Sequence, residues 1–232
     1  MSTRRRLFLM RHGSVTYFDE AGRPYPADGM ALNAEGRAQA CAAGQSFAAQ
    51  QLRFDRVITS GLPRTLETAA LVLAETGQQH VAESWPELAE IRGGRLADIA
   101  DADLHAAFTG VFAGAVGDEQ RFLGGESVGE LMDRVHPALA RLRADPAWDT
   151  ALLVLHEGVN CAILSLALTG RRQFLGGLAQ AAGCINALDV GAGESDWVVR
   201  FVNYAPSAPL HDATRGTTME QLYGQYRRAR PA

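Results

Sequence analysis

The sequence predicts an α/β fold: three layers, α/β/α, around a mainly parallel central sheet. Three observations carry this. Strand-like stretches at 7–10, 54–59 and 151–155 each stop abruptly at polar residues, and the first is an unbroken apolar run, as fully buried strands are. Stretches of helical composition follow each run, so strands and helices alternate along the chain. The 232 residues are 47% hydrophobic and 21% charged, a globular balance over a length that supports one large core. No repeat or linker divides the chain, so 1–232 reads as a single domain.

Leu7, Phe8, Leu9 and Met10 form the first strand, which opens into a loop at Arg11, His12 and Gly13. From 14 to 30 the chain carries Gly22, Pro24, Pro26 and Gly29 and reads as loop. Asn33 is placed to cap an alanine-rich helix to about Gln50. A second strand over 54–59 ends at Ser60, and Pro63 begins a helix that runs to about Glu75. Residues 85–90 read as a short extended piece. Residues 95–125 mix aspartates with Leu104, Phe108, Val111, Phe112 and Phe122 among several glycines, and read as an irregular helical insertion, a lid over the active site. Ser127 and Glu130 form a capping box that opens a helix to about Arg143. The 151–155 strand ends at His156 and is followed by a helix over 159–168. Late strands are expected at 185–190 and 197–202.

Net charge is −4 and the pI about 5.9, which argues against nucleic acid or membrane as partner through bulk charge. The arginine runs at 4–6 and 227–228 read as solubilising ends. All 22 basic residues are arginine, so Schiff-base chemistry and a lysine-dependent phosphate loop are excluded. Cys41, Cys161 and Cys184 are odd in number, far apart and without a Cys-x-x-Cys pair, so neither a disulfide framework nor structural zinc is expected and a reducing compartment fits. The stretch from Met1 to Met10 is too short for a signal peptide, and no run reaches the ~20 apolar residues of a spanning helix. The chain reads as cytoplasmic, with a homodimer left open.

In parallel sheets, sites form outside the carboxyl ends of the strands. His12, Ser60 and His156 all follow strand ends, so Arg11, His12, Arg64 and His156 can share one rim and create a positive pocket in an acidic protein. Here the sequence resembles the histidine phosphatase superfamily, which includes the cofactor-dependent phosphoglycerate mutases and many phosphatases. Leu9-Met10-Arg11-His12-Gly13 is similar to its signature. Ser60-Gly61-Leu62-Pro63-Arg64-Thr65-Leu66-Glu67-Thr68-Ala69 is similar to a second motif, and Asn33-Ala34-Glu35-Gly36-Arg37-Ala38-Gln39-Ala40 to a recurrent helix start. Leu88-Ala89-Glu90, Gly125-Glu126-Ser127 and Val154-Leu155-His156 follow in order.

The resemblance implies a phosphoglycerate mutase-like fold and a small-molecule phosphate ester as substrate. It implies that His12 is the nucleophile, that Arg11, Arg64 and His156 bind phosphate, and that Glu90 is the acid–base group, with Glu87 the alternative. His156 would serve as an imidazolium. No cofactor and no metal are expected, because arginine forks would hold the charge that Mg²⁺ holds elsewhere. Two departures stand out. Glu157 replaces the first of the two glycines usual after the second histidine, and the residues after Gly13 are not those of a mutase.

The leading expectation is therefore a metal-independent phosphatase working through a phosphohistidine. The alternatives are mutase-type phosphoryl transfer, a non-catalytic phosphate binder disabled by Glu157, and a serine esterase. The last rests on Gly125-Glu126-Ser127-Val128-Gly129, which has the spacing of a hydrolase elbow but no buried strand before it. His156-Glu157-Gly158-Val159-Asn160 begins like a zinc-protease helix, yet Asn160 stands where the second histidine belongs. His80, His105, His136 and His211 show no partners at informative spacing.

Overall fold

A computed structural model describes residues 4–20, 22–211 and 215–229. The first three residues of the Met1–Met10 stretch lie outside these. The core is a six-stranded sheet in the order β3-β2-β5-β1-β7-β8. Its strands are β1 (Arg5–Arg11), β2 (Arg56–Thr59), β3 (Glu83–Ser84), β5 (Thr150–Leu155), β7 (Ile185–Val190) and β8 (Trp197–Tyr204). The first four run parallel, and β7 and β8 are antiparallel additions beside β1.

Alternation along the buried strands assigns the two faces. Phe8, Met10, Val57, Leu152 and Val154 pack with Phe47, Ala69 and Val72 of helices α1 (Ala34–Ala49) and α2 (Pro63–Thr76). Leu7, Leu9, Ile58, Leu153 and Leu155 point the other way. They join Leu131, Val135 and Ile163 of α4 (Val128–Ala144) and α5 (Glu157–Thr169). Both faces being covered explains why these strands are apolar throughout.

The expected caps are present. Asn33 accepts the Gly36 N–H, and Ser127 and Glu130 bond each other's backbone N–H reciprocally. At 85–90 the expectation of an extended piece is corrected: Pro86 starts a single 3₁₀ turn, Pro86–Leu88, behind the two-residue β3. The 95–125 stretch is irregular and helical, with three 3₁₀ turns and α3 (Leu104–Thr109). It also contains β4 (Ala115–Val116), which pairs with β6 (Phe174–Leu175) in a small second sheet that sequence patterning did not reveal.

A last helix, α6 (Thr218–Ala229), packs on α3. Phe18 packs on its Tyr226, and Phe108 on both Tyr223 and Tyr226, with Phe108–Tyr226 ring centroids 5.7 Å apart. Among the described residues, no helix is long and apolar enough to cross a membrane.

Candidate active site

Because β1, β2 and β5 are parallel and in register, their carboxyl ends lie level. Met10 and Thr59 both pair with Val154, and the His12 N–H donates to Leu155 O at 3.0 Å. This brings His12, Ser60 and His156 to one rim, with Arg64 in the first turn of α2. Arg11, His12, Arg64 and His156 are all at least 95% buried, unusual for four such polar groups.

The loop carrying His12 is fixed by residues whose role is positional. A Cβ on Gly13 would meet Gly36 O at 2.2 Å, so only glycine admits this approach of loop and helix. Thr68 Oγ1 accepts the Gly13 N–H, Gln39 Oε1 accepts the Ser14 N–H, and Glu67 accepts from Leu32 N and from Arg37. These contacts give the motif residues of the two first helices a physical reason.

The His12 Nδ1 lies 2.7 Å from Gly13 O. A carbonyl only accepts, so Nδ1 carries the proton and Nε2 presents its lone pair. Arg64 Nε donates to that Nε2 at 3.3 Å. Burial, followed by the charges of Arg64 and Arg11, holds His12 well below the ordinary imidazole value. The ring is neutral at physiological pH.

His156 lies edge-on to His12, with centroids 5.2 Å apart. Its Nε2 is 2.8 Å from Ser60 Oγ, and its Nδ1 is buried with no hydrogen-bond partner among the described residues. In the free site, burial, then His12, Arg64 and Arg11, hold this ring well below the ordinary imidazole value too. Arg11 Nε is likewise buried and unpartnered among the described residues. Two polar atoms that are costly to leave unpaired therefore belong to this rim.

Glu157 faces Arg11 and does not point away. Its carboxylate lies 3.0 Å from Arg11 Nη1, which also donates to Gln180 O and, at 2.8 Å, to Thr218 Oγ1. Burial raises the Glu157 pKa, and Arg11 opposes the shift. Behind Arg11, Asn160, Gln180 and Asn186 form a buried amide network that holds the Gln180 segment. Asn160 thus serves this network.

Glu90 lines the same cavity, of about 610 Å³, as Arg11, His12, Arg64 and Glu157. Its carboxylate accepts the N–H groups of Ile91 and Gly158 at 2.9 and 3.1 Å. A Cβ on Gly158 would lie 2.8 Å from Glu90 Oε1, so glycine permits this approach. Glu87 instead turns outward to Arg141 at 2.7 Å. Arg134 fixes the acid loop: it donates to the carbonyls of Glu87, Ala89 and Glu90 while paired with the buried Glu126. Sequence reasoning missed Arg134, Gln180 and Thr218. Only Thr218 had a local signal, the Thr217–Glu220 cap and the apolar stripe behind it.

The Ser127 hydroxyl is engaged in the helix cap, and His156 Nε2 is bonded to Ser60. The serine-esterase alternative has no nucleophile–base pair and is set aside. Cys161 and Cys184 are buried, and burial pushes the Cys184 thiol up to about 12, so neither is a nucleophile. His211 Nε2 donates to Asn203 O, 2.7 Å away, and does not line the cavity.

Comparison with known proteins agrees with this geometry. A "Probable phosphoglycerate mutase GpmB" of Salmonella paratyphi A is 32% identical over 163 residues, 69% of this chain and 74% of that protein. The structure of a mycobacterial glucosyl-3-phosphoglycerate phosphatase in complex with VO3 superposes with a TM-score of 0.65 at 25% identity, covering 86% of this chain and 99% of that one. The alpha-ribazole phosphatase of Shigella flexneri shares the fold, with a TM-score of 0.62 at 23% identity over 85% of this chain and 96% of that one. Residues 7–204 match the family model of the histidine phosphatase superfamily (branch 1), the family to which this chain belongs.

Proposed function

We propose that the chain is a phosphomonoesterase that hydrolyses a small organic phosphate through a phosphohistidine at His12. The observation that carries this reading is the 2.7 Å contact of His12 Nδ1 with Gly13 O, which assigns the proton to Nδ1 and leaves Nε2 as a neutral nucleophile in a pocket of buried cations. In the first step the Nε2–P bond forms and the P–O bond to the alcohol breaks. Arg11 Nε, Arg64 and His156 Nδ1 take the non-bridging oxygens, and Glu90 gives its proton to the leaving oxygen. In the second step Glu90 takes a proton from water, the water oxygen attacks phosphorus, and the N–P bond breaks to release phosphate.

The dianion stabilises the protonated form of His156, so the neutral ring of the free site becomes a donor once phosphate is bound. Residues 95–125, which supply Leu96, Phe108, Phe112, Phe122 and Leu123 to the cavity, act as the specificity lid of a single domain. With its three cysteines free, the protein suits a reducing, cytoplasmic setting.

Turnover of p-nitrophenyl phosphate in EDTA, inhibition by vanadate, and a loss on the order of 10,000-fold in His12→Ala are expected. Normal turnover by His12→Ala would refute the proposal. The mutase reading, favoured by the likeness to the Salmonella protein, predicts exchange of 2- and 3-phosphoglycerate faster than phosphate release in a coupled assay.

A further inference from the structure

The cavity beyond the phosphate site is sorted by polarity. Its charged rim residues, Asp28, Arg92 and Arg95, are exposed, whereas Phe108, Phe112, Met219 and Leu222 line it while more than 90% buried. Two of these four belong to α6, which lies beyond the 7–204 stretch matched by the family model. Met219, Leu222, Tyr223 and Tyr226 recur at helical spacing, so one stripe faces inward. Tyr223 and Tyr226 anchor the helix on Phe108, and Arg227 pairs with Asp101 at 2.5 Å. Met219 and Leu222 face the cavity.

The helix is also joined to the phosphate site. The Thr218 hydroxyl accepts from Arg11 Nη1 at 2.8 Å, and the same nitrogen pairs with the Glu157 carboxylate at 3.0 Å. Glu157 stands where the family usually has glycine. The departure at 157 and the placement of α6 are therefore one arrangement.

We propose that α6 is the specificity wall of this enzyme, and that with the 104–112 segment it selects phosphomonoesters whose alcohol is apolar and at least the size of an aromatic ring. The inference rests on the phosphatase reading and adds the substrate class. A substrate phosphate held at Arg11 and His12 places its alcohol against these side chains, and an apolar group there leaves water for a surface that offers it no polar partner.

The test uses the full chain. Binding of 1-naphthylphosphonate and methylphosphonate is measured by competition, and kcat/KM is measured for 1-naphthyl phosphate and glycerol 3-phosphate. The unaltered protein is expected to bind the naphthyl compound at least ~10-fold more tightly, the scale on which apolar pockets discriminate. Leu222→Ser and Met219→Ser should each reduce the naphthyl-to-glycerol ratio of kcat/KM several-fold, and Gln225→Ala, on the exposed face of α6, should not. Equal binding of the two phosphonates by the unaltered protein overturns the proposal even if the serine variants fail to fold. A ratio that survives both serine substitutions overturns the part given to α6. If no ester is hydrolysed and neither phosphonate binds, the phosphatase reading itself fails and this inference falls with it.

Discussion

One carbonyl decides the chemistry of His12. Gly13 O accepts from Nδ1, and Nε2 is thereby left as the nitrogen that attacks in the proposed reaction. Glu157 is the residue that sets this pocket apart. It lies 3.0 Å from Arg11 among the Thr218 hydroxyl, the Gln180 backbone, Glu90 and the thiols of Cys161 and Cys184. Its pKa is raised above 4.5 in the free protein. A phosphate dianion on Arg11 repels the ionised carboxylate and so raises that pKa further. The sign follows from linkage: phosphate binds best where Glu157 is protonated, and affinity falls as pH rises through its titration. In Glu157→Gln that component disappears. The difference between parent and variant should be roughly tenfold in phosphate inhibition for each unit by which the anion shifts Glu157. Inhibition constants for inorganic phosphate across pH 5 to 8 check this, and parallel profiles in the two proteins contradict it.

At the scale of elements, Ser127 separates capping from catalysis. Ser127→Ala removes the side-chain acceptor for the Glu130 N–H and should cost about 1 kcal/mol, lowering Tm by roughly 2–4 °C. Phosphatase activity at 25 °C should stay within twofold. A collapse of kcat with unchanged Tm would return Ser127 to the active site. β1, β2 and β5 were legible because burial on both faces writes apolar strands, and Asn33, Pro63 and Ser127 mark the starts of α1, α2 and α4. Glu87 and Glu90 could be ordered only by spacing in the sequence. Their separation is physical, because Arg134 holds three carbonyls of their loop and turns Glu90 inward. That contact spans more than 40 residues and leaves no local trace. β4 and β6 are two residues each, too short for a period. α6 carried the cap formed by Thr217 and Glu220, and its apolar stripe was readable, but nothing in the sequence linked Thr218 to Arg11 across 207 positions.

For the whole molecule, parallel register is what turns separate motifs into one site. Three strand ends and one helix start bring two imidazoles and two guanidinium groups together under α6 and the 95–125 segment. The two neutral histidines beside two arginines form a site matched to an incoming dianion, because the anion both pairs the buried donors and favours the charged form of His156.

The most direct test is to quench the enzyme with base during turnover of a ³²P-labelled ester and map the alkali-stable label by peptide mass spectrometry. The account predicts a phosphoryl group on His12, attached through Nε2, and none in His12→Ala. Label on another residue, or steady turnover with no protein-bound phosphate under single-turnover conditions, would contradict it.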